Sequence, residues 1–148
     1  PFDSGISAFT KLINSESRPI SDVIASIVGH GLVTRFPRLK FLPVENGSSW
    51  VRPLLEKFKL CYGRSPSYFV EDPVEAFNRC VWIHPFHEED TVGLAKELGA
   101  DRITFGSDYP HPEGLDKPTE FVKELKGLSE DDQRKIMGGN LSALMDAA

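Results

Sequence analysis

Cysteine is scarce: the 148 residues contain only Cys61 and Cys80, set in no metal or disulfide pattern. Their absence in greater number excludes a disulfide framework and a clustered Cys/His zinc site, and leaves buried free thiols in a reducing, cytoplasmic compartment as the expectation. Basic charge is short as well, with 17 Lys and Arg against 22 Asp and Glu and a formal net charge of −5. No Lys/Arg stripe exists to neutralise phosphates, so nucleic acid is not an expected partner. No apolar run approaches the roughly 20 residues of a membrane span. The opening PFDSGISAFTKL has neither the basic start nor the apolar stretch of a signal peptide. Serine-elbow, Walker and dinucleotide-binding glycine motifs are missing too, so a nucleophilic Ser or Cys with a partner His is not indicated. What remains is an ordinary balance, 40% hydrophobic and 26% charged, which fits one domain over residues 1–148 with a real core. There is no initiator Met, and Pro1 begins as a cut longer sequence would, or as a complete chain without its leader would.

Three short apolar runs read as strands: residues 39–44 (LKFLPV), 79–83 (RCVWI) and 102–105 (RITF). Helical spacing lies between them. Ser21 is placed to cap DVIASIVGHGLVTRF, with Val23, Ile24, Ile27 and Val28 on one stripe. SWVRPLLEKFKL sets Trp50, Leu54, Leu55 and Phe58 on one face, provided Pro53 falls in the first turn. EEDTVGLAKELGA opens on Glu88, Glu89 and Asp90 and closes on Gly99, as dipole and C-cap chemistry prefer. A segment from Pro118 to Leu125, a helix capped by Ser129 and a last turn from Asn140 complete the chain. Strands alternating with helices predict an α/β architecture with parallel strands, and mostly apolar strands predict a sheet covered on both faces.

Each predicted strand ends in titratable groups: Glu45 with Asn46, then His84, then Asp108 followed by His111. In parallel α/β folds that edge is where sites are built. Asp108 is a metal ligand, a water-orienting base, or a carboxylate closing an Asx-turn. His111, held between Pro110 and Pro112, is a stiff loop histidine. His84 and His87 form a conceivable metal pair, with a loop or supporting role as the stronger alternative. His30, near a helix end, reads as a C-terminal cap. Glu45 ends an apolar run and is expected to be partly desolvated, as general acid/base work requires, or else to pair with Arg35, Arg38 or Arg52. Asn46 and Gly47 serve the turn. Trp50, Trp82, Phe86 and Tyr109 are candidates for pocket walls or for plain packing.

The segments RFPRLKFLPVENGSSWVRPLLEKF, CVWIHPFHEED, LGADRITFGSDYPHPEG and KIMGGNLSALM together resemble the amidohydrolase-related family of TIM-barrel enzymes that includes aminocarboxymuconate-semialdehyde decarboxylase. The resemblance runs from about Ser21 onward. It implies strands six to eight, with flanking helices, of a (β/α)8 barrel whose full form takes about 250 residues. It implies that Asp108 binds or faces a divalent metal, usually zinc, and that Glu45 stands where decarboxylase members often carry a catalytic His. His111 matches a loop histidine without an assigned role. The family's remaining metal histidines come from strands one and five, which have no counterpart here. Two readings follow. One is the C-terminal part of a metal-dependent hydrolase or decarboxylase acting on a small carbonyl or carboxylic substrate, with Asp108 and Glu45 catalytic. The other is a half-barrel remnant that only packs, joining another copy or the missing N-terminal half. A metal-free acid/base pair of Glu45 with Asp108 is a third.

Overall fold

The computed structural model describes Ser7 and residues 17–146; the rest of the opening stretch PFDSGISAFTKL lies outside the described residues. Helix α1, described over Ser17–Gly29, takes in Ser21, which therefore lies inside the helix and is not its cap. It buries Ile24 and Val28, whereas Val23 is exposed. A short helix α2 (Leu32–Arg35) follows, and α3 (Val51–Arg64) contains Pro53 in its first turn, as its sequence requires. Trp50, Leu54, Leu55 and Phe58 all face the core from that helix.

Helix α4 (Pro73–Cys80) replaces the first part of the expected second strand. Asp72 caps it, its Oδ1 accepting from the Val74 N–H at 2.8 Å, and Pro73 fits the first helical position. Helix α5 (Thr91–Leu98) has Asp90 as N-cap, Oδ1 accepting from Gly93 N–H at 2.8 Å, and Gly99 as C-cap. A 3-10 turn (Ala100–Arg102) takes the start of the third expected strand. After a 3-10 helix (Pro118–Leu125) come α6 (Glu130–Arg134), a π turn (Lys135–Gly139) and α7 (Asn140–Asp146). Cys80 is buried, and burial pushes its thiol pKa up; Cys61, expected to be buried, is exposed.

The three expected strands shrink to single parallel bridges, Phe41 with Val81 and Ile83 with Ile103. Their hydrogen bonds have the slanted parallel pattern: Phe41 N–H donates to Cys80 O and Trp82 N–H to Phe41 O, both at 2.8 Å. Ile83 N–H donates to Arg102 O at 2.7 Å and Thr104 N–H to Ile83 O at 2.9 Å. The next bond in each ladder would come from residues 43 and 85. Both are prolines and have no N–H to give. The direction and order of an α/β sheet are kept, but among the described residues no ladder runs further.

Period-two alternation gives the sheet two different faces. Val81, Ile83 and Ile103 point into the helical core with Phe77, Leu54 and Val33. Trp82 points the other way, between the Lys40 ammonium 5.6 Å and the Arg102 guanidinium 4.2 Å from its ring. Glu71 ties the helices together: Arg79 of α4 grips its carboxylate through bonds of 2.7 and 2.6 Å, and Thr34 of α2 donates to it as well. The Arg79 bonds hold the Glu71 carboxyl below its usual range.

Asn140 closes the outer side of the third segment. Its buried side-chain amide donates to Ala100 O and Ile103 O, each at 2.7 Å. Replacing Asn140 by Ala strands two carbonyls and is expected to cost about 1–3 kcal/mol in urea unfolding. An unchanged unfolding midpoint would remove Asn140 from this role.

Candidate functional site

The parallel direction of the bridges sends the chain out of the sheet on one side three times. The three exits line an open cleft of about 940 Å³, with Glu45, His84, Phe86, Asp108, Tyr109 and His111 among its walls. The first exit turns at Glu45, whose φ is +57°, and the Asn46 amide donates to Val44 O at 2.6 Å, so Asn46 serves the turn as expected. Gly47 is needed on two grounds. Its φ is +59°, and a Cβ there would lie 2.8 Å from the Phe86 ring of the second exit.

Glu89 joins these two exits. Its carboxylate accepts from Ser48 N–H at 2.9 Å and from Phe86 N–H at 2.8 Å. The residue expected to serve a helix dipole instead staples one loop to the next.

The third exit holds Asp108, again at φ +57°. A left-handed Asp is tolerated and a left-handed Glu is uncommon, so two carboxylates held this way mark an over-determined region. His111 N–H donates to Asp108 O at 2.8 Å, closing a tight turn that lays His111 over the carboxylate. His111 Nδ1 then lies 2.9 Å from Asp108 Oδ1 and 3.6 Å from Glu45 Oε1. The Asx-turn alternative is not taken up by the Asp108 side chain; Ser107 Oγ accepts from Tyr109 N–H at 3.3 Å instead. One donor atom each from Glu45, Asp108 and His111 falls within a 4.8 Å group.

The structure thus brings together Asp108 and Glu45, both singled out in the sequence, with His111, to which the sequence assigned no role. The i to i+3 spacing of Asp108 and His111 was the available signal. Two expectations are corrected. Glu45 is exposed, with 61% of its side chain accessible, so the desolvation expected at a strand end is absent. It also meets His111 rather than Arg35, Arg38 or Arg52, the last of which pairs with Glu97. His84 and His87 each meet another partner. His87 Nε2 is 3.0 Å from Glu113 O, and His84 Nδ1 is 3.4 Å from Thr104 Oγ1. His30 caps α1, with Nδ1 2.9 Å from Ser26 O. Phe86 and Tyr109 line the cleft, while Trp50 is buried in the core.

His84 is half-buried. Burial lowers its pKa, while the carboxylates of Glu45 and Asp108 pull the other way less strongly. Its ring rests on Gly106, where a Cβ would overlap the imidazole.

The donor set, one imidazole nitrogen and two carboxylate oxygens, is of a kind that can hold a divalent metal ion. Residues 21–141 match the family model described as amidohydrolase, and the chain belongs to the amidohydrolase family. It is 25% identical over 133 residues to the 2-amino-3-carboxymuconate-6-semialdehyde decarboxylase of Dictyostelium discoideum, covering 79% of this chain and 34% of that protein. An amidohydrolase of Mycobacterium avium subsp. paratuberculosis K-10 is 45% identical with a TM-score of 0.86, over 94% of this chain and 36% of that one. The 5-carboxyvanillate decarboxylase LigW of Sphingomonas paucimobilis shares the fold at 20% identity and TM-score 0.70, over 98% and 45% of the two chains. The chain thus spans about a third of the curated relative it matches. Among the described residues, no helix is long and apolar enough to cross a membrane.

Two measurements probe this geometry. The unfolded chain protonates His84 near its ordinary value of 6.5 and the folded protein protonates it lower, so acid favours unfolding. The contribution is whole above that value and is lost as pH falls through the lowered folded value. His84→Asn is expected to flatten the loss of urea stability between about pH 7 and pH 5; an identical slope contradicts the assignment. Gly106→Ala is expected to cost about 1–3 kcal/mol by overpacking, most of it relieved in a His84→Ala background. Additive losses would show that the ring and Gly106 are not in contact.

Proposed function

We propose that the chain is the C-terminal part, strands six to eight, of a (β/α)8 barrel in a metal-dependent hydrolase or carboxy-lyase acting on a small carbonyl or carboxylic substrate. The observation that carries this is the meeting of Glu45, Asp108 and His111 within 4.8 Å at the mouth of a parallel sheet. Family membership supports a metal-dependent reaction, and the likeness to two proteins named as decarboxylases supports the carboxylic substrate. Zinc fits the mixed imidazole and carboxylate donors. When bound, such a metal supplies Lewis-acid polarisation of a carbonyl or carboxylate and acidifies water.

This chain's own part is to hold and to orient. Asp108, fixed by its turn and by His111, is the anchoring ligand and aligns water or substrate. Glu45, exposed and beside His111, is the second ligand or the proton-carrying group. His111 holds the two carboxylates together through Nδ1 while no metal is present, and would supply a nitrogen donor in place of that contact when one is bound. Phe86 forms an apolar wall of the cleft, and Tyr109 stands exposed at its rim. The remaining donors come from the barrel strands that precede these.

A packing-only half barrel is favoured by one feature: Leu39 and Val44 stay 43% and 53% exposed beside the first segment, as an unpaired sheet edge would leave them. Both readings are separated by the intact protein's metal content. Zinc titration calorimetry on the intact protein is expected to show one site, weakened roughly a hundredfold by Asp108→Asn with turnover lost alongside. Unchanged affinity and turnover in that variant would remove Asp108 from the mechanism, and absence of any site would leave only the packing role.

A further inference from the structure

The three donors of the metal group are not held alike. Asp108 and His111 share one turn, closed by the His111 N–H on Asp108 O and, a step further out, by the Leu115 N–H on Ser107 O, both at 2.8 Å. That turn keeps its two donors together by itself. Glu45 comes from another segment and is exposed, at φ +57°. What fixes its turn in space lies just after it. The buried Trp50 indole N–H donates to Gly47 O at 2.9 Å, and the Ser48 N–H meets both Glu89 oxygens, at 3.0 and 2.9 Å. The same carboxylate accepts from the Phe86 N–H at 2.8 Å, across a turn closed by the Glu89 N–H on Phe86 O at 3.1 Å. A Cβ on Gly47 would lie 2.8 Å from the Phe86 ring and 3.3 Å from Glu89 Oε1, so the two turns are packed as closely as backbone allows.

We propose that Glu89 is a positioning residue of the metal site: by clasping the 45–48 turn to the 86–89 turn, it sets where the Glu45 carboxylate stands relative to Asp108 and His111. The inference rests on the metal site proposed above. Glu89 lines the cleft but is not one of the three donors, and its oxygens are engaged by backbone N–H groups. A carboxylate suits the place because it brings acceptors alone and takes converging N–H donors with the strength of a charged partner. Glutamine in its place keeps one acceptor oxygen but turns an amide donor toward a donor, and alanine leaves both N–H groups without this partner. The dependence is one-sided. Opening the clasp releases the Glu45 turn, while the turn that carries Asp108 and His111 stays closed by its own hydrogen bonds.

Zinc calorimetry on the intact protein reads this as a coupling between two positions. Glu89→Ala is expected to weaken zinc binding about tenfold, as loss of a group that orients a ligand does. In a Glu45→Ala background the same substitution is expected to weaken it less than about twofold, because the ligand it positions is already gone. Glu89→Gln falls between Glu89→Ala and the unaltered protein, and it carries the same comparison should Glu89→Ala not fold. The urea unfolding midpoint serves as the control: Glu89→Ala lowers it equally with and without Glu45, so a merely structural role does not imitate the coupling. Unchanged zinc affinity in the Glu89 variants, or the same loss with and without Glu45, overturns the proposal and leaves the metal site standing. No zinc site in the unaltered protein overturns the metal site itself and the proposal with it.

Discussion

Four backbone hydrogen bonds between Phe41, the 80–83 segment and the 102–104 segment make three stretches of chain run side by side in one direction. Parallel pairing is what delivers Glu45, His84 and Asp108 to the same side of the sheet, since each residue is the first titratable group after its segment. An antiparallel arrangement of the same stretches would send alternate exits to opposite ends. The pairing is minimal. Pro43 and Pro85 withhold the next donor in each ladder, so the backbone leaves the sheet early and is free to turn into the cleft. The prolines that cost the sheet its length also begin the loops that carry the site.

Since so little sheet holds the exits, other contacts must fix them. Glu89 accepts from the N–H groups of Ser48 and Phe86, and the Phe86 ring lies against Gly47, where no side chain fits. The third exit is bound internally: His111 N–H to Asp108 O, and Leu115 N–H to Ser107 O, both at 2.8 Å. Asn140 holds the base of the same segment from behind, and Phe105 N–H donates to Ile136 O at 3.1 Å, covering the outer edge. Short-range turns and a few buried polar clasps thus do here what long ladders do in larger sheets.

Much of this was legible in residue order, and the failures have physical causes. The α3 face and its first-turn proline, an acidic start and a Gly99 cap for α5, and the placement of acidic groups after apolar runs follow from local rules that the structure obeys. The 79–83 run was misjudged because Cys80 packs in the core whether it ends a helix or begins a strand. The Asp72-Pro73 pair, a helix-start signal, was the feature that distinguished the two. Glu89 and His111 were undervalued because their partners lie in backbone groups and turns that spacing alone does not bring together. Glu45 was given a desolvated setting on the assumption of a strand that continued to its edge; the ladder stops earlier, and the side chain stands in solvent.

The account turns on whether Glu45, Asp108 and His111 share one metal position. Anomalous diffraction at the zinc edge, from crystals of the intact protein grown with zinc, addresses that most directly. The expected result is a single strong peak in contact with Asp108 and His111 and within reach of Glu45. A peak held by other residues, with these three side chains turned apart, would contradict it.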